Sequence, residues 1–267
     1  MLLFEHTPGD SPLVVSVPHA GRHLPDAIRM RMSAIATHVP DTDWHVGALY
    51  QFAPATGATL IVATHSRYVV DLNRDPSGAV LYPGADNTEL CPTRTFCNEP
   101  VYRPGEEPSQ REIDARRATY FDPYHLLLAR EIDRVRTRHG YAVLVDGHSI
   151  AAEVPRFFAG RLPDLNLGTS DGRSCDPTAQ ALAAGIVSNA TGFTHVINGR
   201  FKGGFITRRY GAPASGVHAL QLEMTQACYM DEANPTRFDP SRAAALVAVL
   251  ERLLIALAEW RPGTVAR

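Results

Sequence analysis

Apolar positions along the chain fall into two rhythms, short unbroken runs and longer stretches at helical spacing. The runs LVVSVP (13–18), ATLIVAT (58–64), VLVDGHSI (143–150) and VHALQLEM (217–224) read as strands of a buried sheet. Between them lie helical patterns. One helix is predicted to start after Asp26, and a second is DWHVGALYQFA, ahead of the strand at 58–64. A third opens at SQRE, where Ser109 and Glu112 form a capping box. Ile113, Tyr120, Tyr124, Leu127, Leu128, Ile132 and Val135 then recur on one face, with a break or a new start expected at Pro123, until His139-Gly140 ends the helix. CDPTAQALAAGIVSNA and DPSRAAALVAVLERLLIALAEW each open with Asp as N-cap and Pro at the first helical position.

Strands alternating with helices over the whole length predict an α/β fold: three layers, with a mainly parallel or mixed central sheet and helices on both faces. No internal repeat or low-complexity linker divides the chain, so residues 1–267 are expected to form one domain. The irregular stretch from about 71 to 108 is rich in Pro, Gly, Asn and Asp; loops that long inside a compact domain tend to be functional.

Three of the predicted strands end in polar or ionisable groups. PHAG puts His19 at the end of the first, DGHS puts Asp146 and His148 at the end of another, and LQLEM carries Glu223. In a parallel α/β sheet these ends face one crevice, where ligands bind. Two imidazoles and a carboxylate there suit a hydrolytic metal site, which needs a third protein ligand beside an open position. His23, Asp26, Asp41, Asp43 and His45 are the candidates near His19, although Asp41 or Asp43 could equally cap a helix. Asp146 and His148 point the same way along their strand, so Asp146 is expected to orient a ligand from behind. In RYVVDLNRDPSG, Asn73 and Arg74 suit a carboxylate, unless Arg74 merely pairs with Asp71 or Asp75. Arg208 and Arg209 lie among glycines in GRFKGGFITRRYG, where a second anion clamp and a solvated turn are both open readings.

Composition narrows the partners. The 267 residues are 45% hydrophobic and carry a formal net charge of -2, which argues against a nucleic-acid binder. No apolar run is long enough to predict a membrane span. MLLFEHTPGD lacks the basic region of a signal peptide. Four scattered cysteines without a C-x-x-C pair fit free thiols in a reducing cytoplasm, the expected location.

Taken together, VSVPHAG, DTDWHV, DLNRDPSG, DGHSI, GGFITRRYG and LQLEMTQ resemble the N-formylglutamate amidohydrolase family in order and rough spacing, from about Leu13 to Tyr229. The resemblance implies a metal-dependent hydrolase with a zinc-exopeptidase-like (phosphorylase/hydrolase-like) fold, splitting N-formyl-L-glutamate into glutamate and formate in histidine degradation. DLNR is similar to the carboxypeptidase segment whose Asn and Arg grip a substrate carboxylate, which implies that role for Asn73 and Arg74. GHS is similar to the carboxypeptidase IHS, which implies His148 as a metal ligand, and Glu223 falls where those enzymes keep their general base. They also place a Glu three residues after the first His; here Arg22 stands there, so Asp43 of DTDWHV is the expected third ligand with His19 and His148. One divalent ion is implied, zinc or another first-row ion such as cobalt. A substrate with two carboxylates calls for a second clamp, expected at Arg208 with Arg209 next in line, and Tyr210 could donate to the substrate. Two other readings are a deacylase of another N-acyl acidic amino acid and a non-catalytic binder of acidic metabolites on the same scaffold.

Overall fold

The computed structural model describes residues 2–80, 84 and 86–263. Seven strands, β1 (Phe4–Thr7), β2 (Leu13–Val17), β3 (Thr59–Ala63), β4 (Ala142–Ile150), β5 (Leu165–Gly168), β6 (His195–Ile197) and β7 (Val217–Thr225), form one sheet in the order β1-β3-β2-β4-β7-β5-β6. The centre, β3-β2-β4-β7, is parallel, while β1 and β5 each join a neighbour antiparallel, so the sheet is mixed. The helices are α1 (Asp26–Arg29), α2 (Val46–Leu49), α3 (Gln110–Arg116), α4 (Asp122–His139), α5 (Pro177–Ser188), α6 (Phe205–Tyr210) and α7 (Pro240–Glu259). None is long and apolar enough to cross a membrane.

Strand alternation sorts the core into two layers. Leu13, Val15 and Val17 of β2, Val143 and Val145 of β4, and Leu220, Leu222 and Met224 of β7 pack with α5 and α7. The intervening Val14, Ala142, Leu144, Val217 and Ala219 pack under α4 on the other face. Three layers therefore enclose central strands that are buried on both faces, as their unbroken apolar runs require.

Several local expectations meet a different outcome. β1, β5 and β6 have no counterpart in the strands read from sequence; at three or four residues each they are too short to show a period. DWHVGALYQFA yields only α2 and a 3-10 turn at Ala53–Thr56, because His45 sits at φ 61° and the helix stops at Tyr50. The new start expected at Pro123 is present: a π turn at Arg117–Phe121 joins α3 to α4, and Pro123 stands in the first turn of α4. Ser109 caps α3 as expected, but the Glu112 carboxylate is held by Arg31 at 2.8 and 2.9 Å and by Arg116. The described residues between 71 and 108 contain neither helix nor strand; 81–83 and 85 of that stretch lie outside the described residues.

The glycine between Asp146 and His148 has a packing cause. A Cβ at Gly147 would stand 2.5 Å from the ring of Tyr50, which is fully buried on the α7 side of β4. Gly147→Ala is expected to cost about 1–3 kcal/mol in urea unfolding, and Tyr50→Leu in the same chain should recover part of the loss relative to the Tyr50→Leu parent. Unchanged stability of Gly147→Ala would contradict this packing.

His125 ties α4 to the loop and to α6. Its Nε2 lies 2.9 Å from the Leu72 carbonyl and its Nδ1 2.9 Å from the Tyr210 hydroxyl. Burial pushes its pKa down to about 4, with the Leu72 carbonyl only partly opposing. The ring is thus neutral when folded, while the unfolded chain protonates near the ordinary value of about 6.5. Its stabilisation is complete above that value and is lost as pH falls towards 4. His125→Gln should melt lower at pH 7.5 yet show a shallower loss of stability between about pH 6.5 and 4.5; an unchanged slope would contradict the assignment.

Candidate active site

Strand length creates the site. On its β4 side the last paired residue of β2 is Ser16, opposite Asp146, while β4 and β7 run on together through His148–Glu223 to Ile150–Thr225. Where β2 stops, Pro18 turns the chain and His19 follows. At the same level the α4-facing row changes character. Ala142 and Leu144 give way to Asp146 and His148, and Val217 and Ala219 to Gln221 and Glu223, with Asp146 opposite Gln221 and His148 opposite Glu223. The row on the other face stays apolar through Leu222 and Met224.

Asp43 reaches this point from the segment before α2. Its N–H donates to the His19 carbonyl at 3.1 Å, and its Oδ2 accepts from Ser149 N at 3.1 Å. Asp43 Oδ2 lies 3.0 Å from His148 Nδ1 and 3.7 Å from His19 Nδ1. One donor atom from each of His19, Asp43 and His148 can be chosen so that all lie within 4.8 Å of one another, and all three residues are buried. Neither Asp41 nor Asp43 caps α2; Asp41 accepts from the Tyr68 hydroxyl at 2.6 Å and Phe96 N at 2.8 Å. Other candidates point elsewhere: His23 meets His65 edge to face, and His45 Nε2 meets the Pro235 carbonyl. Arg22 lies over the Trp44 ring.

Both imidazoles are fixed from behind. His19 Nε2 lies 2.7 Å from Asp71 Oδ1, and His148 Nε2 lies 2.9 Å from Asp146 Oδ2. Asp146 also accepts from Ser16 at 3.0 Å. With each Nε2 held by a carboxylate, each Nδ1 turns towards Asp43. That is the pattern in which a carboxylate sets the tautomer and basicity of a ligating histidine. The donor set, two imidazoles and one carboxylate without thiolate, fits a zinc-like ion. His19 Nδ1 is 2.9 Å from Arg67 Nη2, which donates to it here.

Charge is dense for so buried a place. Burial opposes ionisation of Asp43, but the charges and hydrogen bonds of His19 and His148 outweigh it and hold the carboxyl well below its usual range. Burial likewise opposes protonation of His148, yet Asp146 and Asp43 raise it well above the ordinary value. Glu223 goes the other way: burial, reinforced by Asp43 and Asp146 against His148 and Arg67, pushes it up to about 7. Its Oε2 accepts from Gln221 Nε2 at 3.2 Å, and Gln221 Oε1 accepts from Gly204 N at 2.7 Å.

These groups open onto a common cavity of about 60 Å³. His19, Asp43, His148 and Glu223 line it with Asn73, Arg74, Arg67, Arg200, Asp86 and an apolar wall of Phe96, Ile150, Phe157 and Phe201. Asn73 is braced: its Oδ1 accepts from Ile206 N at 2.8 Å and its Nδ2 lies against His148 Nε2 and Asp146. A Cβ on Gly204 would meet the Asn73 amide at 2.3 Å, so only glycine lets α6 start so close. Arg74 Nε donates to Thr88 Oγ1 at 2.9 Å, while the Asp71 ion pair belongs to Arg67 and the Asp75 carboxylate accepts from Ser77.

Arg208 stands apart. It is exposed on α6, its Nε donates back to the Gly203 carbonyl at 3.0 Å, and it does not line the cavity. Arg209 is exposed as well, and the Tyr210 hydroxyl is occupied with His125. The sequence reading missed Asp71 as the partner of His19, as well as Arg67, Arg200 and Gln221. Asp71 had a signal, its place two residues before Asn73 in DLNR; the arginines, in irregular segments, had none.

Comparison with known proteins agrees with this geometry. A family model described as N-formylglutamate amidohydrolase matches residues 11–230. Proteins named N-formylglutamate deformylase from Pseudomonas putida and Pseudomonas aeruginosa are each 46% identical over 252 residues, 94% of either chain. The crystal structure of N-formylglutamate amidohydrolase from Ralstonia eutropha JMP134 superposes with a TM-score of 0.81 at 27% identity, covering 97% of this chain and 98% of that one. A protein of Agrobacterium tumefaciens shares the fold, with a TM-score of 0.67 at 20% identity over 95% of each chain. The chain belongs to the N-formylglutamate amidohydrolase family.

Proposed function

We propose that this chain, working as one amidohydrolase domain in the cytoplasm, hydrolyses N-formyl-L-glutamate to L-glutamate and formate. The observation that carries the reading is the meeting of His19, Asp43 and His148 beside Glu223 in one cavity of a chain in this family. His19, Asp43 and His148 would hold one divalent ion, zinc or a close first-row relative. Such an ion, when bound, supplies Lewis-acid polarisation of the formyl oxygen and a water acidic enough to react near neutrality.

The protein's own groups do the rest. Asp71 and Asp146 fix the two rings so that Nδ1 of each faces Asp43. Glu223 takes a proton from the water that adds to the formyl carbon, then delivers it to the amine as the C–N bond breaks. A carboxyl poised at about 7 suits both directions of that transfer. Gln221 holds the Glu223 carboxylate in place from the same strand. Arg67 keeps its charge because Asp71, Asp43 and Asp41 outweigh its burial, and it is the cation placed to face the developing oxyanion. Arg74, with the Asn73 amide behind it, takes a substrate carboxylate. The cavity's buried base and intact donor set favour an enzyme over a non-catalytic binder.

Formate release from N-formyl-L-glutamate is expected to stop after chelation and to return on adding zinc or cobalt; activity indifferent to chelation would refute the metal's role. Glu223→Gln should retain bound metal while turnover falls about 10²–10⁴-fold, and wild-type turnover in that variant would remove Glu223 as the base. Asp71→Asn should weaken metal affinity about 10–100-fold in a chelator competition; unaltered affinity would show that His19 does not need this partner.

A further inference from the structure

We infer that Arg200 selects the substrate by binding its distal carboxylate, the one at the end of the glutamate side chain. The inference rests on the proposed function and adds a residue to it. Among the described residues three arginines line the cavity, and their surroundings divide the work. Arg67 is bound into the reacting centre, with Nη2 3.1 Å from Asp71 and Nη1 3.6 Å from Asp43. Arg74 is held through the 71–108 stretch, its Nε donating to Thr88 Oγ1 at 2.9 Å, and Arg200 stands in the segment between β6 and α6.

Arg200 is also built into its place. Its Nε donates to the Phe157 carbonyl at 2.8 Å, and its guanidinium lies 5.4 Å from the centre of the Phe201 ring. Phe157 and Phe201 belong with Ile150 and Phe96 to a small apolar cluster that forms one wall of the cavity. An apolar wall ending in a guanidinium matches a side chain of two methylenes ending in a carboxylate. The low polarity of the wall strengthens the charge interaction at its end. Asp86, which also lines the cavity, is matched by Arg156 at 2.8 and 3.0 Å. Arg208, the clamp expected from the sequence, lies outside the lining.

The test compares N-formyl-L-glutamate with N-formyl-L-glutamine, its neutral isostere, in the metal-loaded enzyme. Arg200→Met should lose roughly 30-fold or more in kcat/KM on the glutamate substrate, chiefly through KM. On the glutamine substrate it should change less than about 3-fold, so that selectivity collapses. Arg74→Met should instead weaken both substrates, because both carry the α-carboxylate. Arg200→Lys, which keeps the charge without the fork, should fall between wild type and Arg200→Met and supplies the reading if the methionine variant fails to fold. An unchanged preference for the glutamate substrate in both variants, or an equal loss on both substrates, would overturn the assignment. If the wild-type enzyme turns over neither substrate, the proposed reaction fails, and calorimetry with glutarate then decides for Arg200. Binding to wild type but not to Arg200→Met would support it, and equal binding would overturn it.

Discussion

The site depends on the parallel register between β4 and β7. Two strands of nine residues lie side by side so that Asp146 faces Gln221 and His148 faces Glu223. Because side chains alternate along a strand, a slip of one residue in either strand would turn that strand's two polar groups to the α7 side and bury them in hydrocarbon. Leu220, Leu222 and Met224 on that side, together with Gly147 against Tyr50, lock the register. The apolar face of these strands thereby fixes the polar one, and the shortness of β2 gives His19 and Asp43 access to it.

A cluster this dense in charge is a burden on the fold. His19, Asp43, Asp71, Asp146, His148, Glu223 and Arg67 are all nearly inaccessible to water, and removing ions from water is costly unless each is paired. Pairing is what the structure provides: Asp71 between His19 and Arg67, Asp146 with His148 and Ser16, Asp43 between the two histidines. Glu223 is the exception. Its side chain accepts from the uncharged Gln221 amide, and burial raises its affinity for a proton. The same imbalance that weakens it as a structural anion equips it to exchange protons near neutral pH.

Much of this was legible in the sequence, for physical reasons. Long apolar runs announce buried parallel strands, so the central sheet could be read, and the Asp-Pro caps of α5 and α7 stand where expected. His19, Asp146, His148 and Glu223 stood out because ionisable groups at the ends of such runs are unusual. The antiparallel additions β1 and β5, and the three-residue β6, were hidden by their brevity. DWHVGALYQFA misled because its helical period is cut off by a positive φ at His45, which no pattern of hydrophobic residues reveals. Arg200 was obscure for a related cause: in an irregular segment the direction of a side chain depends on the path of the backbone. Arg208 looked better placed in sequence, yet it is exposed on α6 and Arg200 lines the cavity.

Whether two imidazoles and the Asp43 carboxylate share one cation can be read by X-ray absorption at the zinc edge of the metal-loaded protein. One zinc per chain is expected, with two imidazole nitrogens at about 2.0–2.1 Å, oxygen in the remaining positions and no sulfur. In Asp43→Ala the two imidazoles should persist while an oxygen neighbour is lost or replaced. A single imidazole, a sulfur neighbour near about 2.3 Å, or a spectrum unaffected by replacing both His19 and His148 would contradict it.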